Sequence, residues 1–338
     1  MPPLPPSGSP RPATQADVAR EVGVSRTLVS FAFRNAPGVS EVTRQAIFEA
    51  ARRLGYRPNS VAADLARKRA SAIGLYLLDL HNEVYADIFT GVREALAGSG
   101  SRVILAAGRA GSEPDEEVGP LVEARAGVVI AATLTSPDAH VLELAGMVPI
   151  VSVARRIEGM DSVYSDDAAG ARAAVEHLLG LGHARIVHLA GPGVDGNLER
   201  RIAYESAMHD AGLSPRVVAA PSHSFESGEA TAAGFLAASD RPTAVFAHND
   251  QLALGVREAA LALGLTIPGD LSVVGYDDSR GARLRGIDLT SVDLHAHQLG
   301  AAAGAAALAR LRFPSEPAVD ECSAPRLVVR ASTAPPHD

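Results

Sequence analysis

The 338-residue chain has a single cysteine, Cys322. An intrachain disulfide, a cysteine-ligated metal and a CxxC redox centre are therefore excluded within one chain. That usage fits a reducing compartment. Tryptophan is absent, and aromatic residues make up only 4%. Lys68 is the only lysine, and against abundant Ala, Gly and Arg this reads as a GC-rich coding bias with no chemical meaning. No apolar run reaches the roughly 18 residues of a membrane span. The best candidate, residues 299–311, is Ala-rich and interrupted by Arg310. The N-terminus is rich in Pro and Ser, without the charged-then-apolar order of a secretion signal. Neither a membrane span nor secretion is expected, and the expected location is cytoplasmic.

At about 150 residues per domain this length suggests two domains, with room for a small third. The formal net charge of −8 argues against a polyanionic partner, but its distribution argues for one. Residues 11–69 hold eleven Arg or Lys against five Asp or Glu, whereas the rest holds 20 against 34. A small basic head on an acidic body suits nucleic acid binding by the head, although a solvated basic surface would look the same.

Residues 1–13 read as a disordered Pro-rich tail. Thr14 and Asp17 resemble a capping box, Val18, Ala19 and Val22 form an apolar face, and Gly23 stops a two-turn helix. Ser25 caps a second short helix, Arg26 to about Phe33, at helix-turn-helix spacing. A third helix runs from the Ser40 cap to Leu54, with Ala46, Ile47, Ala50 and Leu54 on one side and Gly55 as its stop. The strings Thr14-Gln15-Ala16-Asp17-Val18-Ala19, Gly23-Val24-Ser25, Val29-Ser30, Val39-Ser40-Glu41-Val42-Thr43-Arg44 and Leu54-Gly55-Tyr56-Arg57-Pro58-Asn59 resemble the DNA-binding head of the LacI/GalR family of bacterial repressors.

The resemblance implies a helix-turn-helix domain over 14–58, with Thr14, Ser25, Arg26, Thr27, Ser30, Phe31 and Arg34 toward DNA. Arg26, Thr27 and Phe31 would face the major groove, and Ser25 and Ser30 would hold phosphates. Leu28, Phe31 and Arg34 depart from the family, which commonly has Thr, Arg and Asn there. Phe31 cannot make a bidentate contact to guanine but can pack on a thymine methyl, unless it is a core residue. Residues 59–70 are expected to be a hinge helix and linker, with Asn59 as cap and Ala62, Ala63 and Ala66 as a small face; the resemblance adds Asn59, Val61 and Ala62 to the DNA contacts and inserts Leu65 in the minor groove, whereas a plain linker helix is the other reading.

The body, 71–338, alternates apolar strands with helices. Strands are expected at 72–78, 102–106, 127–131, 149–153, 185–189, 244–247 and 271–275. Helices are expected at 86–97, 168–179, 198–211 and 251–263. Continuous apolar strands between helices mean parallel sheets covered on both faces. The expected fold is thus a small all-α helix-turn-helix head plus an α/β periplasmic-binding-protein-like core of two doubly wound subdomains. The first would hold about 71–156 and 288–318, the second about 157–287 and 319–338. Glu176-His177-Leu178, Leu181-Gly182-His183, Phe246-Ala247-His248-Asn249-Asp250, Ser272-Val273-Val274-Gly275-Tyr276-Asp277-Asp278 and the ending Leu327-Val328-Val329-Arg330-Ala331-Ser332-Thr333 carry the resemblance through the core. Gly182 and His183 are read as a helix cap and a packed side chain.

Ligands in such folds sit at the C-terminal ends of strands. Asp79, Asn82 and Tyr85 follow the first strand, Arg200 begins the helix after the fifth, and Asn249 and Asp277 follow later strands. By the resemblance, Arg200, Asn249 and Asp277 hold effector hydroxyls and His223 stands where an aromatic stacks. Guanidinium donates, carboxylate accepts and amide does both, which suits vicinal hydroxyls. Turn capping is the plainer reading of Asn249 and Asp277. Ala154, where the family often has Asp, leaves the effector open: a sugar, a sugar derivative, a nucleoside or another polar metabolite.

Gly191-Pro192-Gly193-Val194-Asp195-Gly196 is formally GxGxxG, so a nicotinamide-dinucleotide-dependent dehydrogenase is a rival. Pro192 lacks the N–H a pyrophosphate would use, and no acidic residue follows at a second strand end. A solute-binding protein of the same core fold is the other alternative, opposed by the basic head. His295 and His297 are expected on one strand face, too few for a metal, and no Ser/His/Asp triad is visible. The expectation is a homodimeric transcriptional regulator, with no enzyme activity, cofactor or metal, binding double-stranded operator DNA and a small-molecule effector. Without a terminal heptad repeat, a dimer is expected.

Overall fold

The computed structural model describes residues 11, 13–57, 72–108, 114–192 and 197–337. The expected hinge contacts Asn59, Val61, Ala62 and Leu65 lie outside the described residues, as do most of the N-terminal tail and the last four positions of the GxGxxG string. The chain divides into two compact units, Met1–Ala70 and Ser71–Asp338.

The head is three helices, α1 (Gln15–Val22), α2 (Arg26–Phe33) and α3 (Glu41–Leu54). Their starts are written locally. The Asp17 carboxylate accepts from the Thr14 N–H (2.9 Å) and hydroxyl (2.7 Å). Ser25 accepts from the Leu28 N–H, and Ser40 from that of Thr43. α1 and α3 end at Gly23 (φ 73°) and Gly55 (φ 66°), a left-handed conformation that side chains resist. Val18, Val29, Ala32, Ile47 and Ala50 close the core, and Phe33 meets Phe48 and Tyr56 at 5.2 and 5.6 Å between ring centroids. Arg44 donates to the Ala32 and Ala36 carbonyls, tying α3 to the end of α2.

The core holds two six-stranded sheets. The first contains β1 (Ala72–Leu77), β2 (Arg102–Ala107), β3 (Val128–Ala132), β4 (Ile150–Val153), β5 (Asp161–Ser165) and β11 (Asp320–Ser323), in the order β11-β5-β4-β3-β1-β2. The second contains β6 (Ile186–Ala190), β7 (Arg216–Ala219), β8 (Ala244–Ala247), β9 (Ser272–Tyr276), β10 (Thr290–Asp293) and β12 (Arg326–Val328), in the order β12-β10-β9-β8-β6-β7. Every pairing is parallel except β10 with β12. β1, β3, β4, β6, β8 and β9 are wholly buried, whereas the edge strands β2, β7, β11 and β12 are partly exposed. That contrast is why the inner strands read as apolar runs.

Helices α4 (Val84–Ala95), α5 (Pro114–Glu123), α6 (Asp138–Ala145), α7 (Asp167–Gly180), α8 (Asn197–Asp210), α9 (Phe225–Leu236), α10 (Asp250–Ala262) and α11 (Ala296–Arg312) connect the strands. The Ala-rich run falls in α11, which packs so closely on α4 that a Cβ at Gly91 or Gly300 would overlap the facing backbone. Small residues there serve helix contact. Among the described residues no helix is long and apolar enough to cross a membrane.

The expected subdomain boundaries need correction. β5 pairs with β4, so the first sheet keeps residues 161–165, and β11 adds 320–323 to its far edge. β10 pairs with β9 and belongs to the second sheet. The chain thus crosses near residues 166, 294 and 324, not near 156, 287 and 318. These strands are short and carry Asp161, Ser162, Thr290, Ser291, Asp320 and Glu321, so no apolar run marks them. His295 and His297 share no strand: His295 is the N-cap of α11 with φ 61°, and His297, inside the helix, pairs with Glu94 at 2.9 Å. His183 is packed as expected, bonded to Thr243, Ser272 and the Ala334 carbonyl.

Candidate functional site

On the head, α2 has one face in the core and one outside it. Val29 and Ala32 are buried, whereas Arg26, Thr27 and Arg34 are exposed and Ser30 and Phe31 half-buried. Positions 26, 27, 30, 31 and 34 follow the helical period, so these side chains share a face. Phe31, half-buried, is not a member of the head's core cluster. Ser25 uses its hydroxyl oxygen to cap α2, and the Thr14 hydroxyl donates to Asp17.

In the core, the expected residues fall into two groups. Arg200, on the first turn of α8, is 7% exposed. Its Nε and Nη2 donate to one oxygen of Asp167 at 3.1 and 3.0 Å, and its Nη1 donates to the His248 carbonyl at 2.8 Å. Its guanidinium carbon lies 3.7 Å from the centroid of the Tyr276 ring. The His248 ring is 4.8 Å from that of His223, which sits so close over Gly191 that a Cβ there would overlap it. That approach explains the first glycine of the GxGxxG string without a pyrophosphate.

Asn249 caps α10, accepting from the Leu252 N–H (2.9 Å), and its amide donates to the His223 carbonyl (3.4 Å). The plainer reading of this residue is the one its bonds support. Asp277 is buried at φ 108° and accepts a 3.3 Å bond from the Asn82 amide, which reaches it from the segment after β1. Arg200, His223, Asn249, Asp277 and Asn82 are therefore gathered at the C-terminal ends of the strands. Asp79 and Tyr85 are placed differently: Asp79 binds the backbone and ring of His81, and Tyr85 packs in the hydrophobic core. Three further bonds join the same segment to the second sheet's side: Gln251 to the His81 carbonyl, Glu83 to the Gly281 N–H, and Asp87 to Arg280.

Burial dominates the electrostatics. It holds the carboxyl of Asp277 well above the usual carboxylate range, with the nearby Asp250 adding to the rise and Arg200 opposing it. Asp250, bonded to Ser291 (2.6 Å) and the Ser279 N–H (2.7 Å), is pushed up to about 6. Desolvation, reinforced by Arg200, keeps His248 well below the ordinary histidine value, so its ring is neutral. Asp278 is buried between Arg330 (2.6 Å) and Arg283 (3.0 Å).

Sequence reasoning misses Asp167, His248, Tyr276 and Asp250. Asp167 begins α7 two residues after β5, and without that strand nothing marks it as a strand-end residue. The string His248-Asn249-Asp250 is visible in the sequence, but only its middle member has a role by position. Among the described residues no cluster of His, Cys, Asp or Glu could hold a metal ion.

A helix-turn-helix head joined to a two-sheet core with a polar cluster at its strand ends defines a class, the ligand-responsive transcriptional regulator. Residues 14–59 match the family model for bacterial regulatory proteins of the lacI family, and residues 175–333 match a periplasmic binding protein-like domain. The chain is 30% identical to the HTH-type transcriptional regulator DegA of Bacillus subtilis (strain 168), over 94% of this chain and 97% of that one. Among solved structures, it resembles the lac repressor dimer bound to operator and the anti-inducer ONPF, with a TM-score of 0.83, 27% identity and coverage of 96% and 100%. It also resembles a complex of the transcriptional regulator CelR with cellobiose, with a TM-score of 0.71, 30% identity and coverage of 95% and 99%. The chain belongs to the LacI family, and it is a transcriptional regulator.

Proposed function

We propose that this regulator binds operator DNA as a homodimer in the cytoplasm and changes its hold on that DNA when the core takes up a small, uncharged polyhydroxyl effector, a sugar or sugar derivative. It acts by binding, without catalysis. The exposed face of α2 enters the major groove, Arg and Ser side chains hold phosphates, and base edges set sequence choice. One observation carries the effector reading: Asn82 reaches across from the segment after β1 to the buried Asp277, whose carboxyl feels the charge of Arg200, so donors and acceptors from both sheets' sides meet at one place.

The charge balance there favours an uncharged ligand. The Arg200 cation is already matched by Asp167, and Arg280 and Arg283 face Asp87 and Asp278. A phosphate or carboxylate would find no uncommitted cation among these groups. A hydroxyl can donate to Asp277 and accept from Asn82 or Arg200. Because Asn82 now holds Asp277, an effector entering there exchanges a bond between the two sides for bonds to itself. An effector with equal affinity for both arrangements would switch nothing.

The test is a selection of random duplexes by the purified full chain, with and without neutral sugars, sugar phosphates and a nicotinamide dinucleotide. The expected result is enrichment of a near-palindromic duplex, with salt-dependent affinity that a neutral sugar alters. No enriched duplex, together with dinucleotide binding, would contradict the proposal.

A further inference from the structure

We infer that Phe31 and Arg34 act as a pair that reads the 5-methyl group of a thymine in each half-site, with Arg34 as the positioning residue. This rests on the DNA-binding reading above and specifies what one position of the head recognises.

The head's core already has its aromatic members in Phe33, Phe48 and Tyr56, and Phe31 is absent from it. Phe31 is half-buried on the outer face of a short helix, and the part of an aromatic ring left in water there gains nothing until a partner covers it. The ring is nevertheless held. The Arg34 guanidinium carbon lies 5.1 Å from the Phe31 ring centroid, within cation–π range. Arg34 Nε donates to the Ser30 carbonyl at 3.2 Å, which anchors the guanidinium one turn back along α2. Among the described residues Arg34 has no carboxylate partner, although Glu and Asp pair with Arg20, Arg44 and Arg53 elsewhere in the head. Its fixed interactions are thus with the ring and the backbone beneath it.

A phenyl ring offers no hydrogen bond to the N7 and O6 of guanine, the N6 of adenine or the N4 of cytosine. The one apolar group exposed in the major groove is the thymine methyl. With a guanidinium over one face, the ring is restricted in orientation, and what remains to it is an apolar contact surface.

The experiment uses the full chain and the duplex enriched in the selection. Each thymine of a half-site is replaced in turn by deoxyuridine, which removes the methyl and keeps the base pair. One position per half-site is expected to weaken wild-type binding about fourfold, the worth of one buried methyl. Phe31→Ala should bind the thymine and uracil duplexes equally, and Phe31→Leu should retain part of the difference. Arg34→Ala should reduce the thymine-to-uracil ratio while circular dichroism shows the head still folded. If Arg34→Ala weakens both duplexes alike and lowers the salt slope by about two, one for each half-site, Arg34 is a phosphate contact and its positioning role is overturned. If no position responds to uracil in the wild type, methyl reading is overturned while DNA binding stands. If no duplex is enriched, it is the DNA-binding reading that fails.

Discussion

The head and the core place their functional side chains in opposite physical settings. On α2 the proposed recognition face is what folding leaves unused: Arg26, Thr27 and Arg34 are exposed, and the helix is held by Val29, Ala32 and the Ser25 cap. In the core the site is part of what holds the fold. Arg200, Asp167, His248 and Asp277 are all nearly excluded from water, and each completes another's bonding or charge. A surface that must meet a large polyanion can be kept separate from stability. A pocket that must sense a small molecule and move cannot, because its ligand has to compete with bonds the protein makes to itself.

The largest consequence is in stability. Arg200→Ala leaves Asp167 buried without its cation, and the loss of a buried partner costs about 3–5 kcal/mol. Urea denaturation of the core should show that loss, and replacing both members by apolar residues should recover much of it. A change under about 1 kcal/mol would mean that Arg200 is no structural member of the core and would blur the contrast with the head.

Next comes pH. Burial pulls the His188 ring, stacked on Phe246, down to about 4 from an ordinary 6.5. Between those values the unfolded chain takes up a proton that the folded one refuses, so stability falls as pH falls through that window. Asp250 works the other way. Its folded carboxyl, near 6 instead of 3.8, keeps a proton that the unfolded one has lost, so stability rises as pH drops between those values. His188→Phe should therefore lessen the loss between about pH 7 and 4.5 by about 2 to 3 kcal/mol, and Asp250→Asn should deepen it. Denaturant midpoints at the two pH values decide this, and equal slopes in all three proteins would contradict the burial argument. The head, with no buried titratable group among its core residues, should show no such window.

The smallest effects separate side chains within the head. Ser25 caps α2, so Ser25→Ala should lower the head's stability by about 1 kcal/mol. Thr27→Ala, an exposed change two residues on, should stay within about 0.5 kcal/mol while weakening operator binding. Thermal unfolding and DNA titration together test whether these roles part as the structure indicates.

The same contrast governs how much of the molecule is legible in the amino-acid sequence. The head's three helices can be placed because their signals are local: Thr14 with Asp17, Ser25, Ser40, Gly23 and Gly55 each act within a turn or two. The inner strands β1, β3, β4, β8 and β9 are legible as apolar runs because both faces of the sheet are covered. The short strands β5, β10 and β11 are not, since their polar residues are satisfied only by neighbours far along the chain. Losing β5 hides Asp167, and with it the reason Arg200 is matched in charge. Asp277 and Asn82 can each be singled out as strand-end residues, but the bond between them joins positions 195 apart in the sequence. Asp79 and Tyr85 satisfy the same criterion, yet their side chains turn to His81 and to the core.

The operator affinity of the full chain, measured with and without a neutral sugar for the wild type and for Asp277→Ala, decides whether the buried cluster senses the effector. In the wild type the sugar should shift that affinity about tenfold or more, the range of a coupling between two sites. In Asp277→Ala operator binding should persist and the shift should vanish. A variant that still responds as the wild type does would contradict the placing of the effector at Asp277, and with it the claim that this buried cluster is where the regulator senses its ligand.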